Sequence, residues 1–234
     1  MTIVGESEVA PDFAEFGIRA FTTTRSLGSF GIHTDEPVRD VMGRWSELQR
    51  ELRPAGPRLA TAKQVHGAGV LVHHPTWTGW LRGDEADGHV AIDRGTAVAV
   101  TVADCVPVFL AHPSGAIALL HSGWRGTAAR IVERGIEALV QRGLPASEIR
   151  LHAGPAICGG CYEVSADVYE RLTGKDPGRP TTIDLRALIA DHARARGVRH
   201  ITISDACTRC NNDRFYSHRA GDAGRQLSVM LAEV

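Results

Sequence analysis

The chain has almost no net charge: 26 basic against 27 acidic residues leave −1 over 234 positions. That excludes the positive field by which nucleic acids and acidic membranes are recognised. No apolar run approaches the ~20 residues of a membrane-spanning helix. The opening, MTIVGESEVA, lacks a basic segment followed by an apolar one, so no secretory signal is expected and a cytoplasmic address follows. No repeat, low-complexity block or Pro-, Gly- or Ser-rich linker divides the chain. One domain over residues 1–234 is therefore expected, long enough to bury a real core. An even set of cysteines is also lacking. There are five, with Cys105 far from the others, and in a chain without a secretion signal this points to reduced thiols serving as ligands, nucleophiles or core residues.

What is present begins with ordinary patterning, 43% hydrophobic and 23% charged. FGIRAFTTTR alternates Ile18, Ala20 and Thr22 and reads as a strand. After Asp35 and Pro37, the residues Val38, Val41, Met42, Trp45, Leu48 and Leu52 keep a 3.6-residue period and predict a helix. RLATAKQVHGAGVLVHH reads as two strands meeting at the Gly67–Gly69 corner, and TAVAVTVADC as a strand packed on both faces. GAIALLHSG is a further buried strand. The helix after it carries Val132, Ile136, Leu139 and Val140, with Thr127 as the expected N-cap. IRLHAGPAICGGCYEV starts as a strand and dissolves into a glycine loop before a helix at Ser165. Asp184 caps a helix with Leu185, Leu188, Ile189 and His192 inward, and RHITISDAC is a strand. The tail GRQLSVMLAEV fits period two at Leu227, Val229 and Leu231 and a helical stripe equally well. A short strand is expected there, because so brief a helix is marginal. Strands and helices mix without strict alternation, which gives an α+β sandwich with a large mixed sheet.

Three strand ends resemble one another: His66 in KQVHG, Cys105 in VADCVP and His121 in LLHSGW. Each is a ligand-type residue where an apolar strand breaks into a Gly- or Pro-containing turn. Two histidines and a thiolate can hold Zn²⁺ with a fourth position open; from spacing alone they can equally be unrelated core residues. GWRGTAA, ahead of a helix, places Arg125 at an anion-binding position suited to phosphate or carboxylate. Arg125 can instead tie down a carboxylate such as Asp104. The pairs Cys158/Cys161 and Cys207/Cys210 have the composition of a four-thiolate zinc site, but residues 162–206 between them hold two expected helices, too long for a knuckle. A redox C-x-x-C is disfavoured too, since neither pair opens a helix in a βαβ setting.

TAKQVHG, EADG, TVADCVPV, HSGWRG, GPAICGGCYEV, CTRC with RFYSHR, and AGRQ occur here in one order. Together they resemble the laccase-domain (multicopper polyphenol oxidase) family, also known as the peptidoglycan editing factor or purine nucleoside phosphorylase family of this fold. The resemblance runs from about Thr22 to the end. It implies a single-domain, four-layer α/β/β/α sandwich with mixed sheets. It also implies that His66, Cys105 and His121 are zinc ligands and that purine nucleosides and phosphate are the substrates. The implied reactions are phosphorolysis of adenosine, inosine, guanosine or methylthioadenosine, and deamination of adenosine. Arg125 is then the expected phosphate holder, and Asp104 a proton carrier, a carboxylate orienting His121, or one that fixes the turn. Alternatives are a peptidoglycan-precursor amidase using zinc or Cys105, a copper-dependent phenol oxidase, and a non-catalytic zinc-bearing partner protein. Copper fits poorly, because His73-His74 is the only adjacent histidine pair. The chain departs from the family pattern at Ser122, at His218, in the shortened SLGSFGIH segment and at Cys158, the last counting against a four-cysteine site.

Overall fold

The computed structural model describes residues 7–32 and 34–234. Residues 1–6 of the opening segment and His33 of SLGSFGIH lie outside them. One six-stranded sheet has the order β1 (Ser7–Val9), β2 (Ile18–Thr23), β14 (Gln226–Ala232), β7 (Thr96–Val102), β3 (Arg58–Lys63), β5 (Gly79–Glu85). A second has the order β13 (His200–Ile203), β10 (Arg150–Ala153), β8 (Val106–Ala111), β9 (Ile117–Ser122), β6 (Gly88–Ala91), β4 (Val70–His73). A small ribbon joins β11 (Glu163–Val164) to β12 (Thr181–Thr182). The helices are α1 (Val38–Leu52), α2 (Trp124–Ala128), α3 (Ile131–Val140), α4 (Ala166–Thr173) and α5 (Leu185–Ala195). None of the described helices is long and apolar enough to cross a membrane.

Three apolar layers hold four structural layers together. Val41, Trp45, Leu48 and Leu52 of α1 pack on Phe21, Leu59, Leu227, Val229 and Leu231 of the first sheet. Between the sheets lie Ile18, Val98, Val100, Met230, Phe109, Ile117 and Leu119. On the far side, Val108, Leu110 and Leu120 meet Ile131, Val132, Ile136 and Leu139 of α3 and Leu185 and Ile189 of α5. The arrangement is the expected α/β/β/α sandwich. β14 shows how the ambiguous tail resolves: it pairs antiparallel with both β2 and β7, so its odd positions face α1 and Met230 faces the other sheet. A strand bonded on both edges outweighs a marginal helical preference.

Two local expectations are corrected. Thr127 does not cap a long helix. It lies inside the five-residue α2, whose cap position is Gly123, and its hydroxyl donates to the Gly123 carbonyl at 2.9 Å. The helix breaks at Arg130, with φ of 63°, before α3 begins. Asp184 does cap α5, its carboxylate accepting the amides of Arg186 and Ala187.

The topology fixes where chemistry can gather. β3, β5 and β7 run parallel in the first sheet. Each is followed in sequence by a strand of the second sheet, β4, β6 and β8 respectively. The three crossings therefore leave the first sheet at one end. β9 runs antiparallel to both β6 and β8, with Leu120 opposite Gly88 and Ser122 opposite Val106. Its C-terminal end thus arrives at the same corner.

Candidate metal centre

His66 lies on the β3–β4 crossing, Asp87 on the β5–β6 crossing, Asp104 and Cys105 on the β7–β8 crossing, and His121 at the end of β9. The donor atoms of His66, Cys105 and His121 all fall within 4.8 Å of one another, the first exposed, the second half-buried and the third buried. The imidazoles of His66 and His121 stand edge-on, their centroids 4.8 Å apart. Two of the crossings turn through the left-handed backbone region at non-glycine residues, His66 with φ of 59° and Asp104 with φ of 79°. Such positions persist only where the surroundings over-determine them, as they do at binding sites.

Asp87, fully buried, organises the corner. Its Oδ2 accepts the amides of Gly67 at 2.7 Å and Val65 at 3.2 Å, and its Oδ1 accepts the His66 amide at 2.9 Å. These bonds wrap the crossing around one carboxylate and hold His66 in its strained conformation. Oδ1 also accepts Nδ1–H of His121 at 2.8 Å, which leaves Nε2 of that ring free to face Cys105. The strand adds a further tie, from the His121 amide to the Asp87 carbonyl at 2.6 Å. Burial alone raises the Asp87 pKa, but the His121 bond and the Gly67 and Val65 amides outweigh it and hold the carboxylate below its ordinary range.

Cys105 and His121 shift each other in the same way. Burial pushes the thiol up, yet the charge and hydrogen bond of His121, followed by those of His66, bring it down to about 6. Burial depresses the His121 imidazolium, while the Cys105 thiolate and the Asp87 bond lift it to about 9. Without metal the pair is a thiolate facing an imidazolium, with a carboxylate behind. Gly123 keeps space open beside the sulfur, since a Cβ there would lie 2.8 Å from Cys105 Sγ and 3.5 Å from His66 Cδ2.

Asp104 does not orient His121, a task that falls to Asp87. Its Oδ1 accepts the Thr208 hydroxyl at 2.6 Å and its Oδ2 the Arg219 amide at 2.7 Å, so it pins the crossing that presents Cys105. Nor does Arg125 clamp Asp104: its guanidinium lies 4.5 Å over the Trp124 ring, it is exposed, and no ion pair holds it among the described residues. Tyr162 belongs to the surroundings. Burial, then the charge of Cys105, push its phenol up to about 12 against the pull of Arg219 and Arg125. The guanidinium of Arg219 sits 5.2 Å over that ring. Sequence reasoning missed Asp87, Tyr162, Thr208 and Arg219. The signal for Asp87 was in EADG, a buried-type acid just before a strand, but nothing local tied it to a histidine far along the chain. His218 lies in an exposed turn.

The two C-x-x-C pairs, expected to stay apart, meet: the four sulfurs of Cys158, Cys161, Cys207 and Cys210 lie within 4.8 Å of one another. β10 and β13 are parallel neighbours, with Ala153 opposite Ile203, and each pair follows its strand closely. The intervening α4 and α5 lengthen the connection without moving its ends apart.

A four-layer sandwich in which two inter-sheet crossings and the end of β9 bring two imidazoles and a cysteine sulfur together thus defines the class. The chain belongs to the multi-copper polyphenol oxidoreductase laccase family, whose model matches residues 22–233. It is 32% identical to a protein named purine nucleoside phosphorylase in Mycobacterium tuberculosis, over 92% of this chain and 92% of that protein. Similarity also extends to the purine nucleoside phosphorylase YlmD of Geobacillus stearothermophilus, at 32% identity over 94% of this chain and 92% of that one. A crystal structure of YlmD from that organism superposes with a TM-score of 0.84 at 28% identity, covering 95% of this chain and 93% of the other.

Proposed function

We propose that this chain is a zinc-dependent enzyme of purine nucleosides, cleaving adenosine, inosine, guanosine or methylthioadenosine with phosphate and deaminating adenosine, with residues 1–234 as its one domain. The observation that carries the reading is the convergence of His66, Cys105 and His121 with the His121 ring fixed by buried Asp87. The names of the relatives support the substrate class.

The donor set fits a metal. Two imidazoles and a thiolate suit zinc with one position left open, and the Asp87 bond supplies the orientation that a ligating histidine ordinarily receives from a carboxylate. A multicopper centre fits poorly. Among the described residues the one other converging cluster is made of cysteines alone, and His73 is bonded to His89 at 2.9 Å rather than joined to a histidine set. Zinc on these donors would supply Lewis acidity next to the substrate.

The remaining work belongs to the chain. Asp87 keeps the proton on Nδ1 of His121, so that Nε2 stays a donor atom. Gly123 leaves the volume beside Cys105 for substrate. Arg125, exposed and free to reach, holds phosphate beneath the ribose. Asp104 acts through the Cys105 crossing, fixing the turn rather than contacting substrate. Protein loaded with zinc and given adenosine or inosine, with and without phosphate, tests this by chromatography of products. Free base formed only with phosphate, or inosine from adenosine, is the expected result. Absence of all turnover overturns it.

A second reading rests on Cys105, His121 and Asp87 in line. A thiolate, an imidazole and a carboxylate within hydrogen-bond reach form a cysteine-hydrolase arrangement, suited to an amidase acting on peptidoglycan precursors. Chelated protein that keeps full activity and carries a trapped acyl group on Cys105 would favour it over the zinc enzyme.

A further inference from the structure

Beyond the nucleoside site, the four remaining cysteines form a cluster of their own. The loops leaving β10 and β13 stay in step: the Thr208 amide donates to the Ala156 carbonyl at 3.1 Å, and the Ala156 amide to the Ala206 carbonyl at 3.4 Å. Cys158 and Cys161 therefore face Cys207 and Cys210. Each pair closes in a tight turn, with Cys161 donating to the Cys158 carbonyl at 3.0 Å and Asn211 to the Cys207 carbonyl at 2.9 Å. The buried sulfur of Cys207 accepts two peptide N–H groups, from Cys158 at 3.3 Å and from Cys210 at 3.4 Å. Peptide N–H groups aimed at sulfur stabilise a thiolate, not a thiol in an apolar core.

Cys161 Sγ and Cys210 Sγ stand 3.4 Å apart, no sulfur pair in the cluster exceeds 4.8 Å, and all five cysteines are free. A tetrahedron with Zn–S bonds of about 2.3 Å has sulfur–sulfur edges of about 3.8 Å, inside this range. The cluster has no histidine or carboxylate, and four sulfurs leave no position for substrate. We propose that Cys158, Cys161, Cys207 and Cys210 form a second metal centre in this chain, a closed four-thiolate zinc site.

Its position gives it a structural task. The Ile157 amide, on the first loop, donates to the Asp104 carbonyl at 3.1 Å, and Thr208, on the second, donates to the Asp104 carboxylate. The metal thus ties together the two loops that brace the strained residue next to Cys105.

The test is metal stoichiometry of the full chain, purified under reducing conditions with zinc present. If both centres fill, the parent carries about two zinc ions per chain, and Cys210→Ser and Cys158→Ser each carry about one. If the His66 centre does not hold zinc, the parent carries about one and the serine variants none, so this inference stands while the zinc-enzyme reading fails. Cobalt supplies a measurement that needs no variant to fold. Parent protein titrated with Co²⁺ after metal removal should show strong sulfur-to-cobalt charge transfer with tetrahedral bands, in excess of what one thiolate gives. Zinc content unchanged in both serine variants would overturn the site. So would a Cys161–Cys210 disulfide in the reduced parent, read as a mass lower by two hydrogens. Iron colour in the freshly purified protein would overturn the assignment to zinc.

Discussion

Replacing Asp87 with asparagine removes a charge and one acceptor without changing size. In the native chain Oδ2 serves Val65 and Gly67, and Oδ1 serves His66 and His121. An asparagine keeps one oxygen, so whichever way the amide turns, its NH₂ faces two donors. A buried donor left without a partner costs about 1–3 kcal/mol, so the pair costs about 2–6 kcal/mol. For a chain of this size each kcal/mol moves Tm by about 2–4 °C, and a fall of about 4–24 °C is expected. Loss of the carboxylate behind a ligating histidine also weakens metal binding by about 10–100-fold. Calorimetry on the chelated protein reads the first effect, and competition with a chelator reads the second. If both Tm and zinc affinity stay within error of the parent, Asp87 is not the organiser of this corner, and the account of His66 and His121 built on it is refuted.

In metal-free protein, iodoacetamide labelling of Cys105, followed by peptide mapping, should rise with a midpoint near pH 6 instead of near 9. In linkage terms, Cys105 is depressed on folding, so its contribution to stability is absent below about pH 6 and grows toward pH 9. His121 is raised, so its contribution is full below about pH 6.5 and is lost as pH rises through about 9. The two slopes oppose, so this pair leaves little net slope in metal-free Tm between about pH 6.5 and 9, where Cys207, its thiol lowered to about 7, adds a rise of its own; a steep slope persisting in a Cys207→Ser background would break the pairing. Gly123→Ala puts a methyl 2.8 Å from Cys105 Sγ and should lower zinc affinity and turnover by at least about tenfold, while costing about 1–3 kcal/mol of stability. Unchanged zinc affinity would show that the glycine is not needed for access to the sulfur. Arg125→Lys should raise the phosphate concentration needed for half-maximal rate, because a point charge replaces a fork. A lowered Tm with unchanged phosphate dependence would make it a structural residue.

Local chemistry in the sequence determined much of this protein. Alternation marked β2 at Ile18, Ala20 and Thr22 and β7 at Val98, Val100 and Val102, a continuous apolar run marked β9, a 3.6-residue stripe marked α1, Asp184 started α5, and His66, Cys105 and His121 stood out as ligand-type residues where apolar strands end. These are short-range signals, because a strand end or a cap is set by neighbours a few residues away. β5, β6 and β8 passed unread: β5 is largely polar and exposed, β6 has only four residues, and β8 is a fully buried run without alternation. Only the tertiary structure decided which strand ends share a corner. β3, β5 and β7 had to lie parallel in one sheet, and their successors in the other, before His66, Asp87 and Cys105 could meet His121. The same reason explains the cysteines. Sequence separation measured the length of the α4–α5 connection, whereas parallel pairing of β10 with β13 set the distance between its ends. Periodicity records which face of an element is buried; it carries no record of which element lies opposite, and that pairing is where both metal-type clusters are made.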